Sequence, residues 1–273
     1  MSELSTTDSD NSTLYSIYKK SKRTLNTRLL EKTVKKHREY FSRYTYICAQ
    51  LIFKYDIMVH TIGDNNSLFN QFIAEIRDVN VQNDPLRFRR NLERVGEIFA
   101  YEISKTFNYS EKDVQTPLGT AKMNLPEDEV VVASILRAGL PLHNGLLNYF
   151  DRSENAFISA YRKYNEKGEF EIKFEYISSP SIDGKVVILA DPMLATGSSM
   201  ELAYKALFTK GTPKHVHIVS VIASAEGVEF VKEKLAGENI TLWMGAIDPE
   251  LNSKSYIVPG CGDAGDLAFG AKL

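Results

Sequence analysis

Cysteine is scarce in this chain, with only Cys48 and Cys261 among 273 residues, far apart in sequence. That gives neither a disulfide framework nor metal-ligand spacing, so a reducing cytoplasm is the expected address. No apolar run approaches the roughly 20 residues a membrane helix needs, and no membrane contact is expected. Residues 1–13 are polar and acidic, without the apolar core of a signal peptide. Internal repeats, a Walker lysine loop and a dinucleotide glycine fingerprint are also absent. These absences set aside secreted scaffolds, membrane proteins and the commonest nucleotide-binding motifs.

The remaining composition is that of a globular chain, 43% hydrophobic and 25% charged, with a net charge of −2. The charge is uneven. Residues 1–56 hold 11 Lys/Arg against 6 Asp/Glu, a net +5, which leaves −7 for the rest. The run Lys19-Lys20-Ser21-Lys22-Arg23 is a patch that can meet nucleic acid, but a solvated face is its commoner role. Residues 1–57 read as a basic N-terminal extension, expected to be disordered over 1–13 and helical over parts of Leu14 to Phe53. Residues 58–273 read as the main domain.

Hydrophobic periodicity then lays out the main domain. Leu68 to Val79 predicts an amphipathic helix with Phe69, Phe72, Ile73 and Ile76 on one face. A longer helix follows Pro85 and carries Leu92, Val95, Ile98, Phe99 and Ile103 at helical spacing. Beyond it, strand and helix alternate. Strands are predicted at Val130–Ile135, Ala156–Tyr161, Val186–Ala190, Val216–Ile222 and Ile240–Ala246. Helices are predicted at Leu142–Tyr149, Met200–Lys210 and Gly227–Leu235. This alternation implies a mostly parallel α/β sheet flanked by helices. Tyr161 to Ile177 interrupts it as an antiparallel hairpin arm, with its turn near Asn165–Gly168.

Three strand-to-loop junctions carry chemistry. The buried strand Val186–Ala190 stops at Asp191 and gives way to Pro192-Met193-Leu194-Ala195-Thr196-Gly197-Ser198-Ser199. A small, hydroxyl-rich loop opening a helix presents free N–H groups and hydroxyls, which suits a phosphate. Asp191 stands where open α/β sheets hold ligands and can accept hydrogen bonds from sugar hydroxyls. The second junction, Ser134-Ile135-Leu136-Arg137-Ala138-Gly139-Leu140-Pro141, puts the planar donor fork of Arg137 in a loop with accessible backbone. The third, Tyr256-Ile257-Val258-Pro259-Gly260-Cys261-Gly262-Asp263-Ala264-Gly265-Asp266, lets backbone approach a planar ligand closely.

In wording and order, the three segments resemble uracil phosphoribosyltransferases, a type I phosphoribosyltransferase family. Asp191-Pro192-Met193-Leu194-Ala195-Thr196-Gly197 is similar to the family's loop for phosphoribosyl diphosphate (PRPP), with Pro192 in place of the second acid of purine and orotate relatives. The resemblance runs from about Met58 to the C-terminus and includes Thr116-Pro117-Leu118-Gly119 and Ala246-Ile247-Asp248. It implies a type I phosphoribosyltransferase fold, with an antiparallel arm and the mainly helical extension ahead of it. It further implies that Arg137 and Arg162 bind PRPP with Asp191, Pro192, Met193, Leu194, Ala195, Thr196, Gly197, Ser198, Ser199 and Asp263. Ile257, Gly262, Asp263 and Ala264 would meet uracil, mainly through backbone. Mg²⁺ is expected to arrive with PRPP, with no protein ligand directly assigned. The arm points to a homodimer or a larger homo-oligomer.

Four departures stand out. Ser198 replaces a second glycine, and Lys163-Tyr164-Asn165-Glu166-Lys167 replaces an acid-rich turn. Leu267 replaces a cation. Ser224-Ala225-Glu226-Gly227 stands where Ala-Pro-Glu-Gly is familiar.

The implied reaction, uracil + PRPP giving UMP + diphosphate, passes through an oxocarbenium-like ribose. Arg137 and Asp191 are the candidate catalytic residues; Cys261 is not read as a nucleophile, and no general base for uracil N1 is evident. His215 and His217 share a strand face, for which a structural role is expected over metal binding. Two other readings remain at this point: a non-catalytic uracil- or PRPP-sensing regulator, and a nucleic-acid-binding protein acting through residues 14–54.

Overall fold

The computed structural model describes residues 57–164 and 170–271. The expected N-terminal helices and the arm's turn at Asn165–Gly168 lie outside the described residues.

Helix α1 (Leu68–Arg77) starts at Ser67, whose hydroxyl accepts from the Phe69 N–H at 3.2 Å. It stops two residues short of the expected end, where Asp78 Oδ1 turns to accept from the Asn80 N–H. Helix α2 (Pro85–Ser104) has Asp84 as its cap and Pro85 in its first turn, where a missing N–H is harmless. The strands that follow are β4 (Val130–Leu136), β5 (Glu154–Tyr164), β6 (Phe170–Ser178), β7 (Val186–Ala190), β9 (His215–Ser224) and β10 (Ile240–Asp248), with β1 (Met58–Thr61) before the helices. Helices α3 (Leu140–Leu147), α4 (Ser198–Leu207) and α5 (Ala225–Lys234) alternate with them, and α4 ends in a single 3₁₀ turn, Phe208–Lys210.

Across the described residues the main sheet runs β1-β10-β9-β7-β4-β5-β6, with the short β8 (Met193–Leu194) added beside β9. Every neighbouring pair is parallel except β5–β6, the expected antiparallel arm. Alternation along the buried strands feeds two cores. Val132, Ile188 and Ala190 face α1, α2 and α3, whereas Val131, Ala133, Val187 and Leu189 face α4 and α5. Each fully buried Leu, Ile or Val contributes about 1.5–3 kcal/mol to folding before chain entropy is counted.

Several elements have no counterpart in the expectations, the short strands β1 and β8 among them. A separate hairpin pairs β2 (Tyr109–Thr116) with β3 (Gly119–Pro126). A second small hairpin pairs β11 (Glu250–Leu251) with β12 (Ile257–Val258), and α6 (Ala264–Phe269) follows it.

The topology fixes where a ligand can sit. From β4 the chain moves to β5 on one side, and from β7 to β9 on the other. Strand order therefore reverses between β4 and β7. The crevice outside the carboxyl ends of such strands is the standard binding position of an open α/β sheet.

Candidate active site

All three loops meet at that crevice. Strand β7 releases the chain at Asp191, whose N–H still donates to Val219 O at 3.1 Å. The carboxylate is half-buried, and burial pushes its pKa up to about 7 despite the opposing hydrogen bond from the Met193 N–H. A carboxylate poised this way favours a cationic partner.

Pro192 and Leu194 are buried, and Pro192, which has no N–H and whose carbonyl accepts from the Val221 and Ile222 N–H groups at 3.1 and 3.0 Å, has no free polar group to offer the PRPP it was expected to bind. The remaining loop encloses a cavity of about 40 Å³ lined by Asp191, Ala195, Thr196, Gly197 and Ser199, among others. Gly197 holds a left-handed φ of 81°, and a Cβ there would lie 2.7 Å from Phe230 Cδ1. It precedes α4 without any side-chain cap, so the first-turn N–H groups stay open to an anion. Ser198, the departure from glycine, accepts a 3.2 Å hydrogen bond from the Thr196 hydroxyl.

Arg137 projects from the turn between β4 and α3. Its Nη2 reaches Asp266 Oδ1 at 3.2 Å and Gly270 O at 3.3 Å, while its buried Nε has no hydrogen-bond partner among the described residues. An orphaned guanidinium N–H beside an anion-ready loop is a donor in want of an acceptor. Leu267, where a cation is usual, packs against the core instead, and its neighbour Asp266 takes the contact with Arg137.

In the third loop, Asp263 Oδ1 accepts from the Asp266 N–H at 3.0 Å and so caps α6. Ala264 and the Ile257 side chain are buried. Asn252 and Tyr256 form the hydrogen-bonded pair closing the β11–β12 hairpin, which turns the polar backbone groups of Ile257 away from β11. Space beside Gly262 is open, with no atom within 4 Å of where a Cβ would stand. Arg162 lies on β5 opposite Ile172, three residues past the point where β5 leaves β4 at Leu136–Ser159.

Arg77 has no functional signal of its own in the sequence, and Asp248 appears there only as part of a similar stretch. Their guanidinium and carboxylate form a two-pronged ion pair at 2.7 Å on each side. Both also hold Gly260: Arg77 donates to its carbonyl at 2.9 Å, and Asp248 accepts from its N–H at 2.8 Å. The pair spans 171 residues, so no local pattern could reveal it.

Direct contacts join the loops pairwise. Arg137–Asp266 ties the first to the third. Cys261 Sγ lies 3.6 Å from Met193 Sδ and ties the third to the second. A Cβ on Gly139 would stand 3.1 Å from the carbonyl oxygen of Ala190, the last residue of β7, which seats the first loop against the strand end from which the second departs. Burial pushes the Cys261 thiol up to about 12, so it is inert as a nucleophile at neutral pH. His217 is buried and accepts from the indole N–H of Trp243 at 3.0 Å, which makes it a structural histidine. No cluster of three metal-ligating side chains occurs among the described residues.

Residues 64–271 match the family model for uracil phosphoribosyltransferase. The chain belongs to the uracil phosphoribosyltransferase family. It is 60% identical over 212 residues to a uracil phosphoribosyltransferase from Porphyromonas gingivalis, covering 78% of this chain and 98% of that one. A uracil phosphoribosyltransferase from Thermococcus gammatolerans is 38% identical over 213 residues, covering 77% and 92%. Among solved structures, the AQ2163 protein from Aquifex aeolicus superposes with a TM-score of 0.70 at 30% identity, covering 79% of this chain and 100% of that one.

Proposed function

We propose that this enzyme transfers the 5-phosphoribosyl group of PRPP to uracil, releasing diphosphate and forming UMP, a step of pyrimidine salvage. The observation that carries the reading is the convergence of three family-type loops on one crevice, with Arg137 Nε and the first turn of α4 both lacking acceptors.

In this reaction the bond from ribose C1 to the diphosphate oxygen breaks, its electron pair leaves with diphosphate, and uracil N1 forms the new bond. The N1 proton passes to solvent, since no side chain in the crevice is assigned as its base. The α4 first turn, with Thr196, Ser198 and Ser199, receives the 5-phosphate. Arg137, aided by Arg162, draws charge onto the leaving diphosphate; preorganised donors of this type are worth about 10²–10³ in rate each. Asp191, once ionised, orients the ribose hydroxyls and faces the developing positive ring. Backbone of Ile257, Gly262 and Ala264 reads the edge of uracil.

Mg²⁺ typically binds through one or two carboxylates plus substrate phosphates, and Asp263 is the carboxylate suited to meet it here. When bound with PRPP, the ion would neutralise part of the diphosphate charge.

A homodimer is also proposed. Among the described residues, hairpin β2–β3 pairs with no other strand and is too small to be stable alone in water. Cross-strand neighbours share a face, which puts Val114, Ala121, Met123 and Leu125 together on one side, with Ser110 and Lys112 among them. Val114, Met123 and Leu125 are exposed, and a second copy of the chain is the proposed cover. Residues 1–57 are proposed as an extension of a catalytic domain that begins at Met58, supported by a family match starting at residue 64. No helix among the described residues is long and apolar enough to cross a membrane, and a cytoplasmic location is proposed.

The test is formation of UMP from labelled uracil, PRPP and Mg²⁺, with Asp191→Asn as control. Turnover that collapses in the control supports the assignment. Uracil or PRPP binding without turnover by the unaltered chain would replace it with a regulatory role.

A further inference from the structure

Ser224 is the last residue of β9 and the cap of α5, and it is fully buried. Its hydroxyl does two things at once. It accepts from the Gly227 N–H at 2.8 Å, the ordinary duty of a capping serine, and it donates to the Ala195 carbonyl at 2.6 Å. Ala195 belongs to the loop that lines the small cavity beside Asp191, whereas Ser224 does not. The contact extends the β8–β9 pairing, Met193↔Ile222 and Leu194↔Ala223, by one more residue through a side chain. Gly227 closes the arrangement from below, since a Cβ there would stand 2.2 Å from the same Ala195 oxygen.

The peptide joining Ala195 to Thr196 is planar and trans, so its C=O and N–H point in opposite directions. Anchoring the carbonyl on Ser224 therefore turns the Thr196 N–H away from Ser224, and Thr196 itself lines the cavity. We infer that Ser224 is a positioning residue for PRPP: its hydroxyl fixes the Ala195–Thr196 peptide so that the Thr196 N–H is presented to the 5-phosphate.

The inference rests on the PRPP assignment of the loop, and the experiment separates the two. Full-length Ser224→Gly and Ser224→Ala are compared with wild type by direct titration of PRPP and by steady-state kinetics. Glycine is nearly as good a helix cap as serine, so Ser224→Gly removes the latch while leaving α5 largely intact. Ser67→Ala, which uncaps α1 far from the loop in sequence, controls for simple loss of stability. A hydrogen bond to a neutral carbonyl is worth about a factor of five in affinity.

Both Ser224 variants are expected to raise the Kd and KM for PRPP about fivefold, with kcat and the KM for uracil within twofold and Ser67→Ala unchanged in all of these. PRPP binding at wild-type strength in Ser224→Gly overturns the latch. So does an equal loss for both substrates that tracks melting temperature across all three variants. Wild-type protein that does not bind PRPP at all overturns the assignment of the loop, and the latch with it.

Discussion

Asp191 is proposed to work in its charged form and is costly to hold charged, which makes its replacement by asparagine a two-sided test. Burial raises its pKa from 3.8 to about 7. The folded protein therefore holds this proton more tightly than the unfolded chain does. Stability falls as pH rises from the unfolded pKa to the folded one, then levels off. At a factor of ten in the folding equilibrium per pH unit the full penalty is about 4 kcal/mol at pH 8 and less than half of that at pH 5. Water reaching the half-buried carboxylate screens part of it, and about 2–4 kcal/mol is expected at pH 8. Asp191→Asn has nearly the same shape and no charge. In urea denaturation of the substrate-free protein, the variant should gain stability over wild type, with the gain growing between pH 4 and pH 7 and flat above. The same variant should lose UMP formation, and wild-type kcat/KM for PRPP should rise with pH through about 7. A stability change equal at pH 4 and pH 8 would refute the burial argument, whatever happens to activity.

Three further outcomes are expected. Arg77→Ala leaves Asp248 buried without its partner and Gly260 half-anchored; it should cost about 3 kcal/mol in denaturation and raise the KM for uracil at least about tenfold, with the KM for PRPP little changed. Equal effects on both substrates would show that the ion pair is a general support rather than an anchor of the third loop. Met123→Glu places an acid opposite Lys112 in the middle of the proposed contact face of the β2–β3 hairpin and should shift the sedimentation of the protein toward the monomer; an unaltered dimer would rule out that face. A protein starting at Met58 should fold and keep UMP formation, and at least tenfold lower turnover would contradict the reading of residues 1–57 as an extension.

Elements with two covered faces were the most legible in the sequence. Strand β7 has the predicted bounds, because five consecutive apolar residues have no other stable place in an α/β protein. Helix ends were legible where a cap marks them, as at Asp84-Pro85, and drifted where only periodicity spoke. Hairpin β2–β3 was illegible for the opposite reason. Its sequence, Tyr-Ser-Glu-Lys-Asp-Val-Gln-Thr followed by Gly-Thr-Ala-Lys-Met-Asn-Leu-Pro, is mostly exposed and owes its form to cross-strand pairing. At the site, the loops announced themselves by composition, since small residues after a buried strand are costly unless something approaches them. Their supports did not. Arg77, Asp248 and Ser224 act by holding backbone at a distance in sequence, and a residue whose task is to hold another carries no mark of it.

The contact between Trp243 and His217 gives the protein an optical reporter. Trp243 is the chain's one tryptophan; it is buried in β10, stacked on His60 at 4.3 Å, with its N–H held by His217. Burial, helped by the neighbouring histidines, pushes His217 down to about 3, so the partner of the indole stays uncharged throughout the neutral range. All indole emission therefore arises from one spot between β9 and β1. A fluorescence trace during denaturation dates the parting of those strands. A change on adding PRPP would record motion carried from the loops into the middle of the sheet.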